Sequence, residues 1–189
     1  MKKTFIALLL TLAVSLTGCG ASSAKEEEPP DTQPPAEEVT APPGHKATEG
    51  EENALKTALN YLSFTSFSPN GLVEQLKYEG YTQDEAVYAV NQCGADWNEQ
   101  ALKSAENYLS VSAFSYRSLT EQLIYEGFVP VQANYGVENC GADWNEQAAI
   151  KAQSYLDISA FSREQLIEQL KYEGFTTDQA EYGVVAVGY

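Results

Sequence analysis

One eight-residue line, Gly-Ala-Asp-Trp-Asn-Glu-Gln-Ala, occurs at residues 94–101 and again 47 residues later at 141–148. The same offset relates almost the whole chain from residue 53 onwards without a gap, as the recurrence of Tyr61 at Tyr108 and Tyr155 illustrates. A fixed period in this range is typical of arrays in which each unit is a small group of helices. The repeat therefore predicts a surface-presenting array rather than one enclosed active site.

Local signals predict three short helices in each unit. In the first unit, apolar residues spaced three and four apart over 54–62 indicate an amphipathic first helix. The second and third helices are framed by N-caps, a first-turn proline and C-terminal glycines. These signals are Ser68-Pro69, Gly80, Thr82 with Glu85, and Gly94.

The predicted fold is therefore all-α. It is a tandem array of three 47-residue, three-helix, helix-turn-helix-like repeats at 53–97, 98–144 and 145–189. Because a unit of this size buries little surface alone, neighbouring units are expected to share core.

The N-terminus resembles a lipoprotein signal peptide over residues 1–18. Two lysines precede an apolar run at 5–16, which is too short to span a bilayer, and Leu-Thr-Gly leads into Cys19. Cys19 is expected to carry the lipid and to anchor the chain to the outer face of the cytoplasmic membrane. Residues 19–52 are rich in proline and acid, so they predict a disordered linker, within which the single histidine, His45, has no expected role.

Charge restricts the class of partner. Residues 53–189 hold 18 acidic and seven basic side chains, a net charge of −11. Such a surface repels phosphates, so no nucleic-acid partner is expected, and membrane contact is expected through the lipid alone. The repeats contain no histidine and no catalytic constellation, so we expect a protein-binding monomer that is not an enzyme and has no cofactor or metal. Cys93 and Cys140 share a slot with Val187, which favours buried free thiols, with a disulfide as the alternative.

Two sets of repeated residues are candidate sites. Asp96-Trp97 and Asp143-Trp144 are interpreted as structural junctions, in which the aspartate caps the next helix and the tryptophan packs between units; a partner-binding anchor is the alternative. The second set consists of tyrosines whose side chains point away from the core leucines of the second helix, where they either bind a partner or pack on the next unit. It comprises Tyr78, Tyr125 and Tyr172. The recurring pairs Gln75/Glu79, Gln122/Glu126 and Gln169/Glu173 border the core and predict a hydrogen-bonded junction between helices.

The unit Ala-x-x-Tyr-Leu-x-x-x-x-Phe-Ser-x-x-x-Leu-x-x-Gln-Leu-x-Tyr-Glu-Gly-Phe, followed by Cys-Gly-Ala-Asp-Trp-Asn-Glu-Gln-Ala, resembles the Ltp repeat of host cell surface-exposed lipoproteins. The resemblance covers residues 53–189 and implies a small helical protein tethered outside Gram-positive cells. It also implies superinfection exclusion, in which DNA injection by an incoming phage is blocked by engaging its tape measure protein. A general surface interaction module in cell-wall assembly or adhesion is the alternative.

Overall fold

The computed structural model describes residues 45–189. The predicted signal peptide, the lipidation of Cys19 and the linker up to residue 44 lie outside the described residues. Residues 45–189 form nine α-helices without a strand, so the all-α prediction is confirmed for this part of the chain. The helices are α1 Glu49–Phe64, α2 Pro69–Tyr78, α3 Gln83–Gln92, α4 Trp97–Val111, α5 Tyr116–Tyr125, α6 Pro130–Asn139, α7 Trp144–Ile158, α8 Arg163–Tyr172 and α9 Thr177–Ala186.

Short-range capping sets where the helices begin and end. The Ser68 hydroxyl accepts from the Gly71 N–H at 2.8 Å and begins α2. Thr82 and Glu85 form the predicted capping box of α3, each side chain accepting from the other residue's backbone N–H. Gly80 ends the second helix with φ +102°, a conformation that favours glycine. These predicted boundaries are therefore confirmed.

The first helix begins earlier than the sequence pattern predicted. A capping box between Thr48 and Glu51 starts α1 at Glu49, so residues 49–52 are helical rather than part of the linker. His45 also contacts the first unit, because its Nε2 lies 2.9 Å from Glu51 and its ring packs 5.6 Å from that of Tyr88. The acidic composition of this segment obscured the cap.

Each unit closes its own core between its first and third helices. Small residues let these two helices approach closely, and a Cβ placed on Gly136 would lie 2.6 Å from the Ala101 backbone. The second helix contributes two leucines that are fully buried in every unit. Those leucines are Leu72 and Leu76, Leu119 and Leu123, and Leu166 and Leu170.

The expectation that neighbouring units share a core was wrong. Residues 45–189 contain three separate apolar clusters, one in each unit, and the helix pairs in substantial contact all belong to a single unit. Trp97 and Trp144, the first residues of α4 and α7, are large apolar side chains that cross, each packing on the cluster of the three preceding helices. Three helices already cover the leucines completely, so a unit needs little apolar help from its neighbour.

Polar joints connect the units instead. The Ser68 hydroxyl, while capping α2, also donates to the Glu126 carbonyl at the end of α5. Ser115 repeats this at the second joint, donating to the Glu173 carbonyl at 2.7 Å. Four of the described polar residues are buried, and all four lie at the joints between units. They are Ser68, Gln100, Ser104 and Ser115. The second helices are therefore held end to end.

The serine of the third unit provides a matched test of the joint. Ser162 caps α8 but is exposed and donates to no neighbouring unit, whereas Ser115 does both. Ser162→Ala should lower the free energy of unfolding by about 1 kcal/mol through loss of a cap. Ser115→Ala should cost about 1 kcal/mol more, because the partly buried Glu173 carbonyl also loses its donor. Urea unfolding with amide hydrogen exchange would measure both losses, and equal losses would show that the joint bond contributes nothing.

Candidate partner-binding face

The three candidate tyrosines are the last residues of the second helices. Tyr78, Tyr125 and Tyr172 are 82%, 84% and 81% exposed, so their rings do not pack into a neighbouring unit. The contact that reaches one of them from another unit is a backbone bond, from the Arg117 guanidinium to the Tyr172 carbonyl at 3.0 Å. The structure thus places all three rings in solvent, as a partner contact requires.

An exposed glutamate precedes each tyrosine by one helical turn. Residues four apart lie on one face of a helix, so each unit presents a carboxylate beside a phenol ring. The pairs are Glu74/Tyr78, Glu121/Tyr125 and Glu168/Tyr172, here called the tyrosine–glutamate face. Each of these glutamates already contacts a cation of its own helix: Lys77 and Lys171 lie 2.7 Å from the first and third, and Arg117 lies 3.8 Å from the second. Ion pairs this exposed are weak and exchange readily. The face suits a lysine or arginine of a partner, which a carboxylate and an aromatic ring bind together.

The joints set the spacing of this face. Glu126 accepts from the cap of α2, so Tyr125 lies beside the start of that helix while Tyr78 lies at its end. A ten-residue helix is about 15 Å long, which places successive tyrosines roughly 15 Å apart. The second joint repeats the bond, so the three positions form a regular series.

Beneath the face, a tyrosine, a glutamine and a glutamate tie the first helix to the second. In unit 1, Gln75 Nε2 donates to the Tyr61 hydroxyl at 3.1 Å, and that hydroxyl donates to Glu79 at 2.8 Å. Gln122–Tyr108–Glu126 and Gln169–Tyr155–Glu173 repeat it. Burial, followed by the bond to the glutamate, raises the pKa of Tyr108 and of Tyr155 to about 12. The glutamines and glutamates therefore form the hydrogen-bonded junction that their recurrence predicted, with burial also raising the pKa of Glu126.

The two Asp-Trp pairs lie where one unit meets the next. Asp96 caps α4 by accepting from the Asn98 and Glu99 backbones at 3.0 and 3.2 Å, and Asp143 caps α7 in the same way. The cap of α4 is Asp96 alone, without a capping box. Trp144 packs edge-on against Tyr116, with ring centroids 5.5 Å apart. Helix capping by the aspartates and packing by the tryptophans account for these contacts.

Two cysteines lie among the described residues, at equivalent positions of the first and second units. Cys93 and Cys140 are half-buried free thiols that donate to the carbonyls of Val90 and Val137, and burial raises the pKa of Cys93. Within 45–189, no group of three or more His, Cys, Asp and Glu is arranged to hold a metal ion. No helix in the same range combines the length and apolarity needed to cross a membrane.

Sequence reasoning missed the joint residues. Gln100 belongs to the duplicated line that opens the sequence, yet its side chain reaches back to accept from the Phe67 N–H at 3.3 Å. Gln147 does the same for Phe114 at 3.4 Å. Their exact recurrence beside a capping aspartate was the available signal.

The class that these features define is a tandem array of helix-turn-helix-like units with an acidic outer face. The family profile of host cell surface-exposed lipoproteins, Ltp, matches the chain three times, at 50–93, 96–140 and 143–187. The chain belongs to this family. A comparison with curated proteins gave no match. Among solved structures, the chain is similar to Ltp, a superinfection exclusion protein from the Streptococcus thermophilus temperate phage TP-J34. The two are 32% identical with a TM-score of 0.48, over 50% of this chain and 98% of that one.

The half-buried tyrosines of the second and third units predict a late step in an alkaline titration. A tyrosine in an unfolded chain has a pKa of about 10, whereas the pKa values of Tyr108 and Tyr155 in the folded chain are about 12. Because the folded pKa is the higher one, their contribution to stability is complete below about pH 10 and is lost as the pH rises towards 12. Phenolate absorbance should show this late step. Tyr108→Phe should halve the amplitude of the step, and the double variant Tyr108→Phe with Tyr155→Phe should remove it. The same titration in urea is the control, and a folded chain without a late step would contradict the buried network.

Proposed function

We propose that this chain is a lipid-anchored surface protein that excludes superinfecting phage. It does so by binding a protein of the incoming particle, for which the tape measure protein is the expected partner, so that DNA injection stops. The observation that carries the proposal is the threefold match to the surface-exposed lipoprotein family, together with its likeness to a superinfection exclusion protein. Anchoring through Cys19 holds the array where an entering phage protein would meet it.

The tyrosine–glutamate face supports a protein partner with basic side chains. It presents one phenol ring and one carboxylate in each unit, at positions that the fold itself leaves unpacked. The net charge of −11 over residues 53–189 attracts a cationic partner and repels phosphates. Aromatic side chains carry a disproportionate part of binding energy at protein interfaces, so the tyrosines are the first residues to test.

Removing the tyrosines should abolish protection while the array still folds. The wild-type protein, expressed in a phage-sensitive Gram-positive host, should leave adsorption unchanged and reduce entry of labelled phage DNA. Tyr78→Ser, Tyr125→Ser and Tyr172→Ser together should restore DNA entry by about tenfold or more, because each change removes an exposed anchor. The matched triple change to phenylalanine keeps the rings and should retain most of the protection.

The same assay separates the proposal from its alternative. If DNA enters equally well with and without the wild-type protein for every phage tried, exclusion is wrong and a surface module in wall assembly or adhesion is favoured. If the wild type protects but the serine and phenylalanine variants protect equally, the tyrosines are not the contact. The glutamates of the face, Glu74, Glu121 and Glu168, can likewise be changed to glutamine. The matched control converts three exposed acids away from the face, Asp84, Glu106 and Glu181, to their amides, so that the net charge changes by the same amount.

Protection should also depend on the anchor. Cys19→Ala removes the thiol that takes the lipid but no contact among residues 45–189, so the helices should form normally. We expect lipid labelling and protection to be lost together, because stable membrane attachment requires the acyl chains. Circular dichroism of the purified variant checks its folding. Full protection by the unlipidated chain would show that attachment is not required.

A further inference from the structure

A second series of exposed side chains recurs at the 47-residue offset. Phe64, Val111 and Ile158 are the last residues of α1, α4 and α7, and they are 82%, 79% and 84% exposed. None of them belongs to the three core clusters or packs against one. The side chain changes from unit to unit, but it remains large, apolar and exposed. These three residues are here called the apolar series.

The fold itself does not account for the apolar series. Single exposed apolar residues are normal on protein surfaces, but three at equivalent positions of an array are not scattered. Valine and isoleucine are also poorer helix formers than alanine or leucine, so local helix stability does not favour them here. An external contact is the remaining reason for a large apolar side chain at this point of each unit.

The immediate surroundings of the series indicate the charge of that contact. Each of α1, α4 and α7 ends without a basic residue in its last turn. The final carbonyls of a helix lack intrahelical partners and form the negative end of its dipole, and Asp157 adds a charge beside Ile158. Each member therefore combines an apolar side chain with negative potential. Its complement is an apolar side chain flanked by lysine or arginine.

The joints bring successive members within reach of one short helix. Ser66, two residues after Phe64, accepts from Ser104 at 2.9 Å and from Asn107 at 3.3 Å. Val111 lies one turn after Asn107, so Phe64 and Val111 are within about 20 Å of each other. The glutamine contacts recur at the second joint, so the step to Ile158 is similar.

We propose that the apolar series is the docking surface for a cationic amphipathic helix of a partner protein, which spans two successive members. The domain's charge of −11 repels both an anionic membrane and a second copy of the chain, and it attracts such a helix. The inference rests on the proposed function only in that the occupant is a protein, since no phage component is needed to test it.

The test uses a lipid-free chain beginning at Gly20, which keeps every contact described for residues 45–189. The probe is a labelled helical peptide of about 20 residues, made of leucine, lysine and alanine with the leucines in one stripe. Fluorescence anisotropy should show binding. Phe64→Ser, Val111→Ser and Ile158→Ser together should weaken it about tenfold or more, since the apolar contacts are lost while the charge is unchanged.

Matched controls separate the series from general attraction to an acidic surface. Leu59→Ser, Val131→Ser and Val185→Ser alter three exposed apolar residues that share no repeat position, and they should change affinity less than twofold. A peptide of the same composition with its leucines scattered should bind like the variant. Equal effects of the two triple variants, no binding of the striped peptide, or series-dependent binding to phosphatidylcholine vesicles instead would overturn the proposal. Failure of phage exclusion with peptide binding intact would overturn only the proposed function.

Discussion

The hydroxyl of the second helix's N-cap serine is the contact on which the arrangement of the array depends. Ser68 and Ser115 each accept from the first turn of their own helix and donate to the C-cap carbonyl just after the second helix in the next unit. One side chain thus satisfies a backbone donor at one helix end and a backbone acceptor at the other. Because equivalent residues make this contact at both joints, equivalent positions of the three units are expected to recur in series.

Polar joints of this kind follow from units that close their own cores. In unit 2, Gly136 and Ala101 let the first and third helices touch along their backbones, and the leucines of the second helix fill the remaining space. Little apolar surface is then left for the neighbouring unit, apart from the place that Trp97 or Trp144 fills. The last residues of the first and second helices are therefore not needed for packing between units. For this reason Tyr78 and Phe64, and their equivalents in the other units, can remain exposed to solvent.

The sequence predicted what depends on neighbours in the chain. Capping by Ser68 or Thr82 and termination at Gly80 involve residues three or fewer positions away. The helical period also predicts that Tyr78 points away from Leu72 and Leu76, but it left open whether the ring meets solvent or the next unit. The donor role of Ser68 could not be predicted, because its acceptor lies 58 residues away and a capping serine looks the same with or without one. Phe64 was missed because the apolar pattern of the first helix ends at residue 62, so the helix was not predicted to reach it. The start of α1 was missed because an acidic residue such as Glu51 is typical of a linker, and the sequence alone does not show its hydrogen bond to Thr48.

Repetition also explains how a shallow surface could hold a partner. A single exposed tyrosine or phenylalanine offers a weak contact, since one side of the ring stays in water. Three contacts on one chain raise the effective concentration for the second and third once the first has formed, provided that the partner matches their spacing. The joints fix that spacing at roughly the length of one short helix, about 15 Å. The polar contacts between the units, rather than any one side chain of the outer face, thus determine which partner can engage all three at once.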